Sequence, residues 1–148
     1  MNRNIIISAL PYCDPFLFVD TISCIDETGV TGSYKFHEDS DFYKGHFKNF
    51  PITPGVVLTE CCAQIGVVCL GIYLLNKQSI STHGLQIGMS SYEMEFLLPV
   101  LPNETVTVTS EKVYFRFSKL KCKVNMHNAD GKLVCKGTLS GMLKITNE

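Results

Sequence analysis

The hydrophobic positions of this chain follow two different spacings, and each spacing predicts a different kind of element. From Pro54 to Leu75 nearly every one of the 22 residues is apolar, which predicts one buried helix of about 33 Å. From Lys119 to Met126 polar and apolar residues alternate, which is the period of a strand with one buried face. The chain therefore combines one long helix with at least one amphipathic strand.

Shorter apolar runs between turn sequences predict further strands. The segments Asp26–Gly29 and Asn128–Gly131 are rich in turn residues, and each separates two apolar runs. Strands are accordingly predicted over residues 16–19 continuing into 22–25, over 30–36 and 85–96, around 106–108, and over 120–126 and 133–145. This order predicts a single α+β domain over residues 1–148, in which an antiparallel sheet wraps around the helix.

A membrane span is the other explanation of the long apolar helix, since its length is sufficient. Glu60 and Gln64 lie inside it, however, and an ionisable group at that depth costs roughly 2.5–3.5 kcal/mol on insertion scales. No cluster of basic residues flanks either end to set an orientation. We therefore expect a helix that is buried in protein, and no membrane span.

The composition is that of a folded domain, and the net charge and its distribution limit which charged partners the chain can bind. The 148 residues are 45% hydrophobic and 18% charged with a net charge of -1, which excludes a disordered chain and gives no global reason to bind nucleic acid. Residues 112–148 hold eight of the 13 basic side chains, so an anionic partner could dock only locally.

The seven cysteines include no CxxC pair, and the first ten residues show no signal-peptide pattern, which together predict buried thiols in a reducing cytoplasm.

Three neighbouring features carry the candidate chemistry. Glu60 is a carboxyl group in an apolar helix, where loss of water raises its pKa, and Gln64 lies one turn further on the same face. His46 precedes it in a loop rich in glycine and aromatic residues. The first amides of the helix, around Gly55 and Val56, favour an anionic oxygen. A base, a protonated acid and an oxyanion site suit removal of a proton next to a carbonyl with loss of a β-hydroxyl as water.

Short motifs that include these residues extend over most of the chain. They are Leu10–Asp20, Gly45-His46-Phe47, Pro51–Val56, Glu60, Ala63-Gln64, Gly88-Met89 and Phe96–Pro102. The combination resembles the FabZ-type 3-hydroxyacyl-acyl-carrier-protein dehydratases, and the resemblance runs from about Leu10 to Leu143. It is specific because His-Phe is followed by Pro-Ile-Thr-Pro-Gly-Val and then by Glu. The resemblance implies a hot-dog fold, in which the sheet wraps one central helix.

The resemblance also implies a lyase of fatty-acid or polyene- or polyketide-type biosynthesis. His46 would remove the C2 proton of a (3R)-hydroxyacyl thioester, and Glu60 would protonate the departing C3 hydroxyl to leave a trans-2-enoyl thioester. The implied substrate-binding residues are Gly55, whose amide would hold the thioester oxygen, Gln64, Val56 and Phe47. In this family the His and Glu of one site come from two subunits of a homodimer, often within a trimer of dimers. Acyl carrier protein brings the substrate on its phosphopantetheine arm, so no metal or redox cofactor is implied.

The chain departs from the family pattern in three places. Tyr12-Cys13-Asp14 stands where the family usually has a His- or Arg-containing stretch, and Lys48 stands where a proline commonly follows His-Phe. Glu93 and Glu95 stand where the family tends to carry basic residues that meet the carrier protein. These changes concern docking and substrate more than chemistry, and they indicate a divergent member. Two alternatives stay open: a hot-dog acyl thioesterase, and a non-catalytic partner subunit of a dehydratase heteromer.

Overall fold

The computed structural model describes residues 2–145, which form two helices and six strands. The helices are α1 (Arg3–Ser8) and α2 (Gly55–Lys77), and a short 3-10 helix spans Asp41–Lys44. The strands are β1 (Thr21–Ile25), β2 (Gly29–Lys35), β3 (Leu85–Phe96), β4 (Thr105–Arg116), β5 (Lys119–His127) and β6 (Leu133–Ile145). The predicted helix is confirmed to within two residues at each end, and the four strands predicted after it are all present.

The strands form one antiparallel sheet in the order β1-β2-β4-β5-β6-β3. Alternate residues of the middle strands are fully buried, among them Val108, Leu120 and Val124, and the centre of α2 packs against β2, β4, β5 and β6. Strand β3 lies at one edge and pairs with β6. The prediction of an α+β fold with an antiparallel sheet around one long helix is confirmed.

The middle of α2 is a π-helical segment over Gln64–Cys69, all of it buried. The sheet comes so close to this segment that a Cβ on Gly66 would lie 2.9 Å from a methyl group of Val124. The Ser110 hydroxyl donates a hydrogen bond of 2.9 Å to the Gly66 carbonyl. π-Helical turns are rare and recur at functional sites. This segment begins one turn after Glu60, which makes Glu60 a candidate functional residue.

Helix α2 is long and apolar enough to cross a membrane by length and composition alone, with a mean hydropathy of 1.9. In the fold, however, 78% of its most apolar stretch is buried against the rest of the chain. A helix that is hydrophobic all round is satisfied by such burial as well as by lipid. The expectation of a buried core helix is therefore confirmed.

One predicted strand segment is wrong. Residues 16–19 are apolar but lie outside β1, which begins at Thr21. Their backbone groups bond instead to a side chain of α2: the Phe18 N–H donates to Gln64 Oε1 at 2.8 Å, and the Phe16 carbonyl accepts from Gln64 Nε2 at 3.0 Å. Backbone groups satisfied in this way need no neighbouring strand.

The start of α2 also differs from expectation by one residue. The sequence predicts Pro54 as the first residue of the helix, but Pro54 is its N-cap and the helix begins at Gly55. The preceding residue, Thr53, does not cap the helix: its hydroxyl is 2.6 Å from the Tyr43 hydroxyl, and its N–H donates to the Val100 carbonyl. The short helix α1 is not predicted by the sequence, although it ends before Pro11, where a break is expected.

Candidate active site

Glu60 lies in the first half of α2 and lines a cavity of about 70 Å³ between the helix and the sheet. The side chain is half-buried, and burial raises the pKa of its carboxyl group, while the hydrogen bond from Gln64 acts in the opposite direction. Further along the helix the cavity wall is apolar, with Ala63, Val67 and Val68. A carboxyl group in these surroundings keeps its proton to a higher pH than an exposed one, as a general acid requires.

Gln64 is fully buried and holds Glu60 in place. Its Nε2 donates to Glu60 Oε2 at 3.0 Å and to the Phe16 carbonyl, and its Oε1 accepts from the Phe18 N–H. An N–H can only donate, so the Phe18 amide fixes which end of the Gln64 side chain carries the oxygen. The NH₂ group therefore faces the carboxyl group, as the spacing of four residues predicts.

His46 lies in the loop between the 3-10 helix and α2. Its Nδ1 is 2.9 Å from the Ile52 carbonyl oxygen, and a carbonyl only accepts, so Nδ1 carries the proton. In the neutral ring Nε2 is then unprotonated and can act as a base. Backbone bonds close the same loop, from the His46 N–H to the Phe42 carbonyl at 3.2 Å and from the Ile52 N–H to the His46 carbonyl at 3.1 Å.

The N-terminus of α2 shares a groove with His46. This groove, of about 430 Å³, is lined by His46, Gly55 and the segment Phe96–Pro99 among others. The hydrogen bonds that form the helix begin with the Val57 N–H, so the Gly55 and Val56 amides have no acceptor within the helix. These amides and the helix dipole favour a negative charge on any group that enters the groove.

His46 and Glu60 lie in separate openings of a single chain. His46 opens into the groove at the start of α2, and Glu60 opens into the cavity between α2 and β3. Within residues 2–145, no side chain lines both openings. The structure thus brings Glu60 together with Gln64 and brings His46 together with Gly55, but it does not bring the predicted base and the predicted acid together in one chain.

Two tyrosines, one in the Glu60 cavity and one bonded to Thr53 in the wall of the His46 groove, make contacts that the sequence does not indicate. Tyr12 lines the Glu60 cavity, and its burial, followed by the charge of Glu60, raises its pKa to about 12, so that it is a neutral hydroxyl at physiological pH. Tyr43 pairs with the buried Thr53 hydroxyl and so anchors the segment next to His46. In each case the two residues in contact lie on different elements of the fold, so their spacing along the chain does not predict the contact.

The remaining predicted residues lie at the surface or in the core. Phe47 is 57% exposed, and its ring centroid is 4.3 Å from that of His46. Val56 is 72% exposed on the first turn of α2. All seven cysteines are free thiols, and five of them are buried. Burial raises the pKa of Cys61, next to Glu60, well above its ordinary value, so this thiol stays protonated and packs as an apolar group.

The sequence is similar to one family over almost its whole length. The family model described as FabA-like domain matches residues 10–140. A 3-hydroxyacyl-[acyl-carrier-protein] dehydratase FabZ from Wolbachia sp. subsp. Brugia malayi is 32% identical over 146 residues, which cover 97% of each protein. The FabZ proteins of Ehrlichia chaffeensis and Clostridium perfringens strain SM101 are 30% and 31% identical, over 97% and 94% of this chain and over 95% and 96% of their own lengths.

Solved structures share the fold. A chain of the dehydratase heterocomplex ApeI:P from Xenorhabdus doucetiae matches 97% of this chain and 93% of its own with a TM-score of 0.80, at 10% identity. A hypothetical thioesterase with coenzyme A from Streptococcus pneumoniae matches 86% of this chain and 87% of its own with a TM-score of 0.60, at 19% identity. These likenesses concern the fold alone, and they confirm the predicted hot-dog arrangement of sheet and helix.

Proposed function

We propose, on the premise that this chain belongs to the FabA-like family as a divergent FabZ-type member, that it dehydrates (3R)-hydroxyacyl thioesters carried on acyl carrier protein. The product is the trans-2-enoyl thioester, and the reaction class is that of a carbon–oxygen lyase. The full-length similarity to 3-hydroxyacyl-[acyl-carrier-protein] dehydratases supports this reaction within fatty-acid or polyene- or polyketide-type biosynthesis.

The observation that carries the proposal is that the chain holds both a half-buried carboxyl group bound by Gln64 and an imidazole with its proton on Nδ1. Nε2 of His46 takes the proton from C2, and negative charge moves to the thioester oxygen, which the first amides of α2 stabilise. The bond between C3 and its hydroxyl breaks as Glu60 supplies a proton, so that water leaves and the C2–C3 double bond forms. His46 gains one proton and Glu60 loses one, and exchange with solvent resets both.

The proposed working unit is a homodimer, in which His46 of one subunit and Glu60 of the other form one site. Two features support it. The two groups line separate openings in one chain, and β3 is an edge strand of 12 residues that, within residues 2–145, pairs with another strand, β6, on one side only. Large apolar side chains on this edge, such as Met89 and Tyr92, are exposed at 40% and 59%, which favours association there. A trimer of dimers is the assembly implied beyond this unit.

The proposed partner is acyl carrier protein, whose phosphopantetheine arm carries the substrate. The reaction moves protons without a change of oxidation state, so we propose that the enzyme uses no metal or redox cofactor of its own. We place it in the cytoplasm, because free thiols, five of them buried, suit a reducing compartment.

The test uses two variants that are each inactive but complement one another. His46→Ala and Glu60→Gln should each lower kcat by about 10²–10⁴-fold without unfolding the protein. When the two are mixed, denatured and refolded together, half of the dimers are mixed, and each mixed dimer has one intact site. Activity should therefore return to about one quarter of wild type. Wild-type rates in both single variants would refute the assigned roles, and no recovery on mixing would refute the shared site.

The same assay separates the two alternatives. Release of a free thiol from 3-hydroxyacyl thioesters would identify an acyl thioesterase. Turnover only after addition of a co-purifying homologue would identify a subunit of a dehydratase heteromer.

A further inference from the structure

A single hydrogen bond fastens the middle of α2 to the sheet. The Ser110 hydroxyl on β4 donates to the Gly66 carbonyl at 2.9 Å. Within residues 2–145, this is the one hydrogen bond from an N–H or O–H group that joins α2 to a strand of the sheet. Ser110 is 3% exposed and Gly66 is buried, so removal of the hydroxyl leaves a carbonyl that water does not readily reach.

At Gly66 the backbone of the helix touches the sheet directly. A Cβ on Gly66 would lie 2.9 Å from Cγ1 of Val124 and 3.0 Å from Cβ of Ser110, so the sheet leaves no room for a side chain there. Gly66 belongs to the π-helical segment Gln64–Cys69, and π-helical turns occur mostly as short insertions in α-helices. The bond from Ser110 therefore fixes one carbonyl of this uncommon turn against the sheet.

Gln64 holds the same turn of α2 from the other side. Residues two apart lie on nearly opposite sides of a helix, so Gln64 points away from the sheet contact at Gly66. Its side chain bonds to backbone groups of residues 16–18 at 2.8 and 3.0 Å, and its Nε2 also donates to Glu60 at 3.0 Å. The helix is thus held between the sheet and the N-terminal segment at this turn, by Ser110 on one side and Gln64 on the other.

We propose that Ser110 is a positioning residue for Glu60, because its bond to Gly66 fixes the turn from which Gln64 reaches the carboxyl group. Without that bond the turn can shift against the sheet, the Gln64 amide moves with it, and its hydrogen bond to Glu60 weakens. Ser110 lines neither the Glu60 cavity nor the His46 groove, so it acts only through the helix. The inference rests on the proposed dehydration in that Glu60 is taken as the acid.

The other titratable groups around Glu60 stay neutral while it titrates. Tyr12, from the N-terminal segment, faces the same cavity, and Cys61 is the next residue of α2. Burial raises the pKa of Tyr12 to about 12 and that of Cys61 well above its ordinary value. The residues that β3 and β6 add to the cavity are uncharged: Ile87, Met89 and Gly141. A change in the pKa of Glu60 in a Ser110 variant therefore reports on the bond from Gln64.

The test compares Ser110→Ala with Ser140→Ala. Ser140 on β6 is 2% exposed, and within residues 2–145 its hydroxyl makes no hydrogen bond to α2. The pKa of the Glu60 carboxyl group is measured by ¹³C NMR with labelled glutamate, and its signal is identified by its loss in Glu60→Gln. Ser110→Ala should raise this pKa above that of wild type, because the bond from Gln64 lowers it. Ser140→Ala should leave it unchanged.

Turnover gives a second readout of the same two variants. With 3-hydroxyacyl thioesters, kcat of Ser110→Ala should fall about two- to tenfold, the ratio that corresponds to the loss of one hydrogen bond. KM should stay the same, since Ser110 lies outside both openings. An unchanged kcat would refute the positioning role.

A double variant tests the route through Gln64. Gln64→Met alone should raise the pKa of Glu60, because it removes the hydrogen bond to the carboxyl group. Adding Ser110→Ala to Gln64→Met should raise the pKa no further, since the bond that Ser110 supports is already absent. If Ser110→Ala raises the pKa equally in both backgrounds, or no more than Ser140→Ala does, the inference is wrong.

The possible results separate this inference from the function on which it rests. If wild type dehydrates 3-hydroxyacyl thioesters but the pKa of Glu60 does not respond to Ser110→Ala, the positioning role is wrong and the dehydratase function stands. If that pKa responds as expected but no 3-hydroxyacyl thioester is dehydrated, Ser110 does position Glu60 and the proposed function is wrong.

Discussion

Replacement of Gln64 by methionine tests what holds Glu60 in place. Methionine has nearly the shape of glutamine but lacks its strong donors and acceptor, so the substitution keeps the packing and removes three hydrogen bonds. The Phe18 N–H is left buried without an acceptor, at a cost of about 1–3 kcal/mol. The Phe16 carbonyl lies nearer to solvent, and its bond contributes a net value of about 1 kcal/mol. We expect the free energy of unfolding to fall by about 2–4 kcal/mol.

The measurement is urea unfolding at one fixed protomer concentration, with the slope m required to stay constant. Gln78→Met is the matched control, because Gln78 is exposed at the C-terminal end of the same helix. It should change the free energy of unfolding by less than about 0.5 kcal/mol. If Gln64→Met costs no more than this control, the three hydrogen bonds do not hold the site together and the reasoning fails.

The same variant has a second, independent readout in the pH dependence of turnover. The hydrogen bond from Gln64 lowers the pKa of Glu60, so its loss raises that pKa further. Glu60 acts as an acid only while it is protonated, and deprotonation of this group sets the high-pH limb of the rate profile. The limb should move to higher pH in Gln64→Met. A limb that stays in place or moves to lower pH would show that Gln64 does not act on the carboxyl group.

Three further changes test other parts of the structure. Glu60→Gln removes a carboxyl group whose pKa is higher in the folded chain than in the unfolded one, so that its ionisation costs stability as the pH rises above about 4.3. In urea unfolding, the free energy of unfolding of the variant relative to that of wild type should rise by about 1 kcal/mol or less between about pH 4 and pH 7. If this difference in free energy stays constant with pH, Glu60 is not buried as described. Tyr43→Phe removes the hydrogen bond between the Tyr43 and Thr53 hydroxyls, so the free energy of unfolding should fall by about 1 kcal/mol. We also expect a lower kcat, because the loop that carries His46 is held less firmly. An unchanged kcat would show that this hydrogen bond does not position His46. Gly66→Ala should lower the free energy of unfolding by about 1–3 kcal/mol, because the added Cβ would meet the sheet. Its control is Gly45→Ala, where nothing lies within 4 Å of the added Cβ, and the loss should be less than about 0.5 kcal/mol. Equal losses in the two variants would contradict the tight contact at Gly66.

The elements that the sequence predicts well are those whose pattern is set by burial. Helix α2 is apolar over its whole length because the sheet surrounds it, and β5 alternates because one of its faces covers that helix. Residues 16–19 have the same apolar character as a strand, but they pair with the side chain of Gln64, which is 46 residues beyond Phe18 in the chain. A contact at that separation leaves no trace in the local pattern, so the segment could not be assigned from its own residues.

In the candidate site, too, some features can be predicted from the local sequence and others cannot. The pair of Glu60 and Gln64 follows from their spacing on one helix, and the open amides at Gly55 follow from the start of that helix. The tautomer of His46 depends on the Ile52 carbonyl, whose position is fixed only when the loop folds back on itself. The place of Tyr12 in the Glu60 cavity depends on how the N-terminal segment crosses α2. Contacts of this kind are decided by tertiary packing, which the spacing of residues along the chain does not encode.

The order of the elements along the chain has a consequence for biosynthesis. Helix α2 ends at Lys77, but β3, β4, β5 and β6, which supply most of the sheet around it, lie between Leu85 and Ile145. A ribosome that adds roughly 5–20 residues per second needs on the order of ten seconds to complete them. Throughout that interval the most hydrophobic part of the nascent polypeptide has only β1 and β2 to cover it. Chaperone binding during translation should therefore concentrate on Gly55–Lys77, and slower elongation through the last four strands should increase aggregation.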